Sequence, residues 1–569
     1  MQLVRSRLPL LAVLFAMLVT LVSAEHSTSP TTDEHLHLTR GVAWWRAPDT
    51  RLSWPHPPLG HIIAGAPAAI LYDGPPFEEI GGYDRANMPS VALRYFKSYE
   101  QARFHLRTAR WVMIALALLL AAYLYEWMRR RYGPRLAFLS TLLYAADPVL
   151  LAHAGLMTTD FPVTLVTLFA LLQLHDYLLS RSWRSFVGVM LALGGLVTAK
   201  LTGVLIALIL LLPAILYAAL GRGRFSGLTP KRRALFLGRD IIAATIVALL
   251  SVNAAYRFDD TGLTVAEIVE HQVPPGKFVK ALHEDDLTLR AFPKAVPVPL
   301  PYTYLYSLEF VRAHNKRGHP SYFKGKGRSS GTHGYFATLL AAKLPSGMLV
   351  LLVAGVLLAL KRRFSGLSLS VWLHAYFALA YFALTFNAHI NIGVRHALPV
   401  VPSLAILAAH AANALWNAGR PGRLLTIGCL ASVVLGTLQA HPRYIGDFNW
   451  LVGGRAGGHR LSVVGEDWGQ DMNELADWQK REKVPVSYFH WLRLRYSELD
   501  YLGAKVDRWK CRSEPPADHW VAFHLSEKAR NHKCVRHYAP REPDIVLNDH
   551  ILLYGPAAAS STEATPATP

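Results

Sequence analysis

The stretch TTDEHLHLTRGVAWWRAPDTRLSWPHPPLGH carries an acidic pair, Asp33-Glu34, and about twenty residues later the run His56-Pro57-Pro58-Leu59-Gly60. Further on, Asp160 stands in TTDFP, Lys200 in TAKLTG, Lys343 before Leu344-Pro345, and Arg395-His396 in NIGVRHALP. A carboxylate next to a hydroxyl can take its proton as a general base. Cations placed beside a leaving phosphate stabilise the charge that develops there. The residue types therefore suit group transfer from a phosphate-linked donor to a hydroxyl, provided the chain gathers them on one surface. Each also has a purely structural reading. Asp33-Glu34 could be the acids of a helix start, and Asp160 the N-cap of the segment that follows it. Lys200, Lys343 and Arg395 could be interfacial anchors with snorkelling heads, and His56 a turn residue. Their common sidedness favours the functional reading.

The elements that must position these residues are membrane spans. With 52% hydrophobic residues in 569, and a mean hydropathy of +0.22, the chain is not an ordinary soluble domain. Its apolar residues gather into about eleven segments of roughly 15–20 residues, the length that crosses a bilayer as a helix. The first, within 1–24, follows Arg5 and Arg7 and also fits a secretory signal peptide with a small-residue site at Val22-Ser23-Ala24. We adopt a retained helix because further spans follow; either reading puts Asp33 on the outer face. The spacing predicts the other spans at about 111–128, 136–146 (broken by Asp147-Pro148), 163–179, 186–198, 201–220, 241–256, 346–360, 371–386, 401–416 and 424–438.

Charge orients them. Alternate loops carry Arg129–Arg131, Arg181 with Arg184, Arg222 through Arg239, Lys361–Arg363, and Arg420 with Arg423, nearly free of acids. Short basic loops mark the cytoplasmic side. The acids and most histidines then fall outside, in a first outer loop at 25–110 and a second at 257–343. The net charge of +20 is thus topological. It forms no basic face with interleaved aromatics, and nucleic-acid binding is set aside. GRGRFSG at Gly221 lacks both the strand–turn–helix context and the Lys-Ser/Thr ending of a phosphate loop.

An odd number of spans leaves the C-terminal region outside. The expected organisation is a membrane domain over 1–441, an outer α/β domain over 442–555 and a disordered, low-complexity tail over 556–569. In the outer domain VPVSYFHWL, HWVAFHL and HILLYG read as strands and DMNELADWQKREK as a helix. Cys429 lies in an apolar segment, whereas Cys511 and Cys534 could pair outside the cytoplasm.

DE followed by HPPLG resembles the first outer loop of the protein O-mannosyltransferases and their bacterial relatives, the family 39 glycosyltransferases of the C-type superfamily. TTDFP, TAKLTG, YFATLLAAKLP at 335–345, NIGVRHALPVVP at 391–402, HPRYIGDFNWLVGG at 441–454 and EDWGQDM at 466–472 are similar to later family stretches, so the resemblance covers about 30–475. It implies a polytopic α-helical membrane protein of the C-type glycosyltransferase fold, with a polyprenyl-phosphate sugar as donor and inversion at the anomeric carbon. It implies Asp33 as catalytic base with Glu34 beside it, His56 and Asp160 lining the site, and Arg395 facing the donor phosphate. Lys200, Lys343 and His396 complete the substrate-binding candidates. The run GPPFEEIGGYDRANMPS at 74–90 makes the first outer loop longer than the family pattern.

The expected function is sugar transfer to a hydroxyl of a protein, lipid or glycan at the outer face of a bacterial inner membrane, with the C-terminal domain in the periplasm. No cofactor is assigned. A divalent metal is compatible with Asp33, Glu34, His56 and Asp160 as ligand types, but no spacing fixes a metal site. The alternative is a transporter or flippase for lipid-linked sugars, which should show repeated halves and ionisable groups at the bilayer midplane. A non-catalytic assembly factor would tolerate loss of Asp33.

Overall fold

The computed structural model describes residues 7–270, 293–490, 492–511, 513–538 and 540–556. Arg5, part of the second outer loop and the tail expected to be disordered (beyond its first residue, Pro556) lie outside these residues.

Among the described residues, apolar helices stand at all eleven expected spans, in the expected order. Seven described helices are long and apolar enough to cross a membrane: Leu8–Ser27, Tyr99–Tyr132, Asp160–Leu179, Thr202–Phe225, Pro230–Ala255, Val394–Trp416 and Arg420–Ala440. Two bent helix pairs pass the same test together, each a broken span or a re-entrant loop: Pro134–Ala145 with Pro148–Ala154 at 65° and Tyr335–Lys343 with Ser346–Lys361 at 117°. The helices Trp183–Ala199 and Leu369–Thr385, each of 17 residues, are at the short end of what spans. The protein is a polytopic α-helical membrane protein. The first bend has a local cause: Asp147 caps the second half by accepting from Leu150 N at 3.0 Å, and Pro148 sits where the new helix has a spare first-turn donor position.

Two boundaries differ from expectation. The second span starts at Tyr99, not near Trp111, and runs for 34 residues. Ser98 caps it by accepting from Gln101 N at 3.2 Å. Its first three turns, YEQARFHLRTAR, are polar, so hydropathy conceals them; side-chain partners hold them helical. The first outer loop is also largely structured, with helices Glu34–Arg46, Leu59–Leu71 and Met88–Tyr95. The first two cross in close contact at Gly41 and Gly65. A Cβ on Gly41 would stand 2.6 Å from the His61 carbonyl oxygen, and one on Gly65 2.5 Å from the Gly41 Cα. Leu59–Leu71, at 13 residues, is too short to span and exposes Ile63, Ile70 and Leu71, as a helix lying against lipid would.

The basic turns gather at the end of the bundle opposite the Asp33 loop. Arg131 pairs with Asp176 at 2.9 Å, Arg181 donates to the Arg224 carbonyl at 2.7 Å and Arg135 to Asn417 at 3.0 Å.

The C-terminal region forms the five-stranded sheet expected only in part. The order is β4 (Asp507–Arg508), β3 (Val486–Phe489), β5 (Trp520–His524), β7 (Ile551–Tyr554), β6 (Ile545–Leu547). β3 runs parallel to β4 and β5, whereas β7 is antiparallel to β5 and β6. A hairpin of β1 (Ser321–Phe323) and β2 (Lys326–Arg328) lies in the second outer segment. Side chains alternate along the sheet: Val486, Tyr488, Ala522, Ile551 and Leu553 pack on the helix Met472–Glu482. Phe489, Val521, Phe523, Leu552 and Tyr554 pack on the opposite face with Trp509 and Tyr538. That second cover is fastened by a disulfide between Cys511 and Cys534, Cα atoms 5.0 Å apart. Cys429 is free and buried.

Candidate active site

Asp33 and Glu34 are adjacent at a helix start, where consecutive side chains leave in different directions. Asp33 occupies the N-cap position of Glu34–Arg46 but makes no capping bond. Its carboxylate instead faces Arg395, Oδ2 to Nη1 3.3 Å, with about a third of the side chain (34%) open to solvent and only 12% of Arg395's. The guanidinium lies over the Trp468 ring, 3.9 Å from its centroid, and its Nε donates to the Ile392 carbonyl at 3.2 Å.

Glu34 turns inward and is wholly buried. It accepts from Arg110 Nε at 2.8 Å and Nη2 at 2.6 Å, from Thr31 N at 2.8 Å and Oγ1 at 3.1 Å, and from Met157 N at 3.0 Å. Burial works to raise its pKa, but the Arg110 charge and these donors outweigh it and hold the carboxyl below its ordinary value. Every lone pair that could take a substrate proton is engaged. In this arrangement Glu34 fastens the loop to the helix Tyr99–Tyr132 and to the turn before Asp160.

Asp160 is the first residue of its helix and not its N-cap, which is Thr159 without a side-chain bond. Its carboxylate receives Lys200 Nζ at 2.5 Å; Lys200 sits in extended backbone between two spans. Arg395, His396 and His153 are the other charged or titratable groups acting on Asp160, so Asp33 and Asp160 flank the same arginine. His396 stacks on Phe336 with ring centroids 6.1 Å apart.

His56 joins from the first outer loop. Its ring lies 5.5 Å from that of His37, and His37 shares a 2.7 Å hydrogen bond with His61. Burial, then the charges of Arg40 and Lys200, push the pKa of His56 well below its ordinary value, so it is neutral at pH 7. His61 is lowered to about 3, by burial and then Arg40. Neutral imidazoles beside two cations offer hydrogen bonds without further charge.

Lys343 is not part of this cluster. It is buried, and its Nζ donates to the carbonyls of Ile445 at 3.0 Å and Asp447 at 2.7 Å, over the Phe448 ring at 4.1 Å. Its charge acts on Glu466, Asp447 and Arg455. The lysine joins the bent helix pair to the chain after the last span. Residues not singled out from sequence are Arg40, His37, His61, Arg110 and Trp468. Arg103, Arg107 and Arg110 recur on one helical face, and that spacing was a legible sign of a helix outside the membrane. Among the described residues no three His, Cys, Asp or Glu side chains form a group able to hold a metal. The carboxylates named for one are each engaged by a cation, so the metal does not fit this arrangement.

A bundle of apolar spans thus holds carboxylates and cations together at one end. Residues 100–250 match the family described as dolichyl-phosphate-mannose-protein mannosyltransferase. Over that stretch the chain is similar to a family of membrane glycosyltransferases. The matched stretch contains Asp160 and Lys200 but not Asp33 or Arg395. Among solved structures, ArnT from Cupriavidus metallidurans bound to undecaprenyl phosphate is similar at 14% identity, over 96% of this chain and 97% of that one, with a TM-score of 0.43. The apo oligosaccharyltransferase of Archaeoglobus fulgidus is similar at 13% identity, over 92% of this chain and 71% of that one, with a TM-score of 0.44. No curated protein matches the chain.

Proposed function

We propose that the protein transfers a sugar, of the mannosyl type in keeping with the matched family, from a polyprenyl-phosphate donor to an acceptor hydroxyl on the outer face. The observation that carries this reading is the Asp33–Arg395 pair: a carboxylate with open surface, uncommitted to its own helix, against an arginine seated on an aromatic ring. Asp33 takes the acceptor's proton as the acceptor oxygen attacks the anomeric carbon. The bond from that carbon to the phosphate oxygen breaks on the opposite side, which inverts the centre. Arg395 holds the donor phosphate from binding through release, and Lys200 beyond Asp160 neutralises the charge that grows on it. His56 and His396 hydrogen-bond the substrates. Glu34 acts only by holding Asp33 in place. The acceptor is a protein, lipid or glycan hydroxyl. We assign the protein to a bacterial inner membrane with its C-terminal region in the periplasm, an oxidising compartment in which the Cys511–Cys534 disulfide would persist.

The test is transfer of labelled sugar by the purified protein from polyprenyl-phosphate donors to a membrane extract, comparing wild type with Asp33→Asn. Removal of a general base should lower kcat by about 10²-fold or more with the fold unchanged. Label in one acceptor fraction with wild type only is the expected result, and the fraction names the acceptor class. Wild-type turnover by Asp33→Asn would remove Asp33 from the mechanism. Donor binding without transfer to any fraction would favour the transporter.

A further inference from the structure

Asp33 and Arg395 belong to segments more than 300 residues apart in sequence, and both rest on one residue of the chain beyond the last span. The Trp468 ring is the floor under the Arg395 guanidinium, at 3.9 Å. The Trp468 carbonyl accepts from Thr32 N at 2.9 Å and from Thr32 Oγ1 at 3.1 Å, immediately before Asp33. Arg495 braces the same point: its Nη2 donates to Thr32 Oγ1 at 3.0 Å and to the Trp468 carbonyl at 3.4 Å, and its Nη1 to the Pro30 carbonyl at 2.7 Å and Glu498 at 2.7 Å. Arg495 is fully buried. Trp468 itself is fixed from both sides. Its N–H donates to Gln470 Oε1 at 2.8 Å, and the neighbouring Asp467 is held by His524 at 2.8 Å and Ser526 N at 2.9 Å, at the end of β5.

We propose that Trp468 is a positioning residue through which the C-terminal region sets both members of the Asp33–Arg395 pair: the ring sets the arginine, and the carbonyl sets the carboxylate's backbone. This rests on the reading of Arg395 as the donor-phosphate group. The geometry separates the two roles. Any substitution at 468 keeps the carbonyl, so side-chain changes probe the arginine's seat alone. A guanidinium on an aromatic face is held in one orientation and kept partly desolvated. Without the ring it samples other rotamers and loses part of its hold on a phosphate in ground and transition states alike. Uniform loss of that kind raises KM and spares kcat.

The experiment uses the full-length protein in detergent, with a polyprenyl-phosphate sugar as donor. Variants are Trp468→Leu, Trp468→Phe, Arg395→Ala and the double variant Trp468→Leu/Arg395→Ala, with donor KM, kcat and melting temperature measured for each. Trp468→Leu should raise donor KM by about 3–30-fold with kcat changed less than about threefold, and Trp468→Phe should recover most of the loss. In the Arg395→Ala background, removing the ring should add nothing, because the pair then has no coupling left to lose. If Arg395→Ala raises KM but Trp468→Leu does not, the positioning role is overturned and the phosphate role stands. If Arg395→Ala leaves KM unchanged, the phosphate role fails first. Additive effects in the double variant, or a Trp468→Phe as defective as Trp468→Leu, would also overturn the proposal. Should Trp468→Leu fail to fold, Trp468→Phe against Arg395→Lys supplies the same cycle.

Discussion

Glu34→Gln separates fastening from chemistry at the acidic pair. The substitution keeps size and shape but removes the charge that faces Arg110, and it turns an NH2 toward groups that are all donors. Five hydrogen bonds converge on the carboxylate, three of them charge-independent N–H or O–H donors and two from the guanidinium. Arg110 retains Glu25 at 3.8 Å and the Ser29 carbonyl at 3.3 Å, so it is not stripped of partners. Breaking a buried pair by removing one charge costs about 3–5 kcal/mol; with this residual support the lower end, about 3 kcal/mol, is expected. The assay is thermal melting in detergent alongside turnover per folded molecule. Melting should fall clearly, while kcat stays well above that of Asp33→Asn. The pH sign is fixed as well. Glu34 has a depressed pKa in the folded protein, so its contribution is present above the unfolded value near 4.5 and is lost as pH falls through the folded one. The wild-type advantage in melting over Glu34→Gln should therefore persist through neutral pH and shrink only below about pH 4.5. Unchanged melting with kcat as low as in Asp33→Asn would refute the fastening role.

Three further outcomes follow from partners described above. Lys200→Met leaves Asp160 buried without its cation, so melting should drop by about 3 kcal/mol; adding Asp160→Asn should recover melting but not transfer. His550 donates to Asp471 at 2.6 Å, and against the lowering effect of burial the Asp471 hydrogen bond and charge, with Asp467, raise its pKa. Its contribution is then fully present below about pH 6.5 and lost as pH rises through the folded value, so melting should decline toward alkaline pH in wild type and more weakly in Asp471→Asn. Reduction of Cys511–Cys534, which closes a loop with a sequence separation of 23, should destabilise the C-terminal region by about 3 kcal/mol, read as earlier unfolding of that region in dithiothreitol.

The spans were legible because bilayer crossing writes itself into local composition: every expected segment has a helix, and the Asp147-Pro148 break lies where it was read. What composition could not convey was helix outside the membrane. YEQARFHLRTAR and EHLHLTRGVAWWR are amphipathic at best, and their helicity rests on tertiary partners such as Glu34–Arg110 and the Gly41–Gly65 contact. The strands β3, β5 and β7 are mostly apolar runs of four or five residues, whereas β4 and β6, of two and three residues, are defined by pairing with their neighbours. At the site, residue types identified Asp33, Asp160, Lys200 and Arg395 as a set. They did not separate Asp33 from Glu34, since only the third dimension says which carboxylate meets Arg110. Nor did they show that Lys343 lies apart from that set, against the carbonyls of Ile445 and Asp447, and Trp468 carries no charge to attract notice.

The 34-residue helix Tyr99–Tyr132 is also a depth gauge. At 1.5 Å per residue it is about 51 Å long, against a hydrocarbon core of about 30 Å. The rise from Arg110 to Arg129 is about 28 Å, so its two arginine collars stand one hydrocarbon thickness apart. Because Glu34 is bonded to the upper collar, Asp33 keeps a fixed height along this helix, which on the proposed reading is the level of the lipid headgroups. A phosphate carried on a membrane-embedded chain arrives at that height without being lifted from the bilayer. Under the proposed function the acceptor would do the travelling: a lipid-borne hydroxyl would slide in laterally, and a folded protein would reach the site through a segment slack enough to descend to the membrane surface.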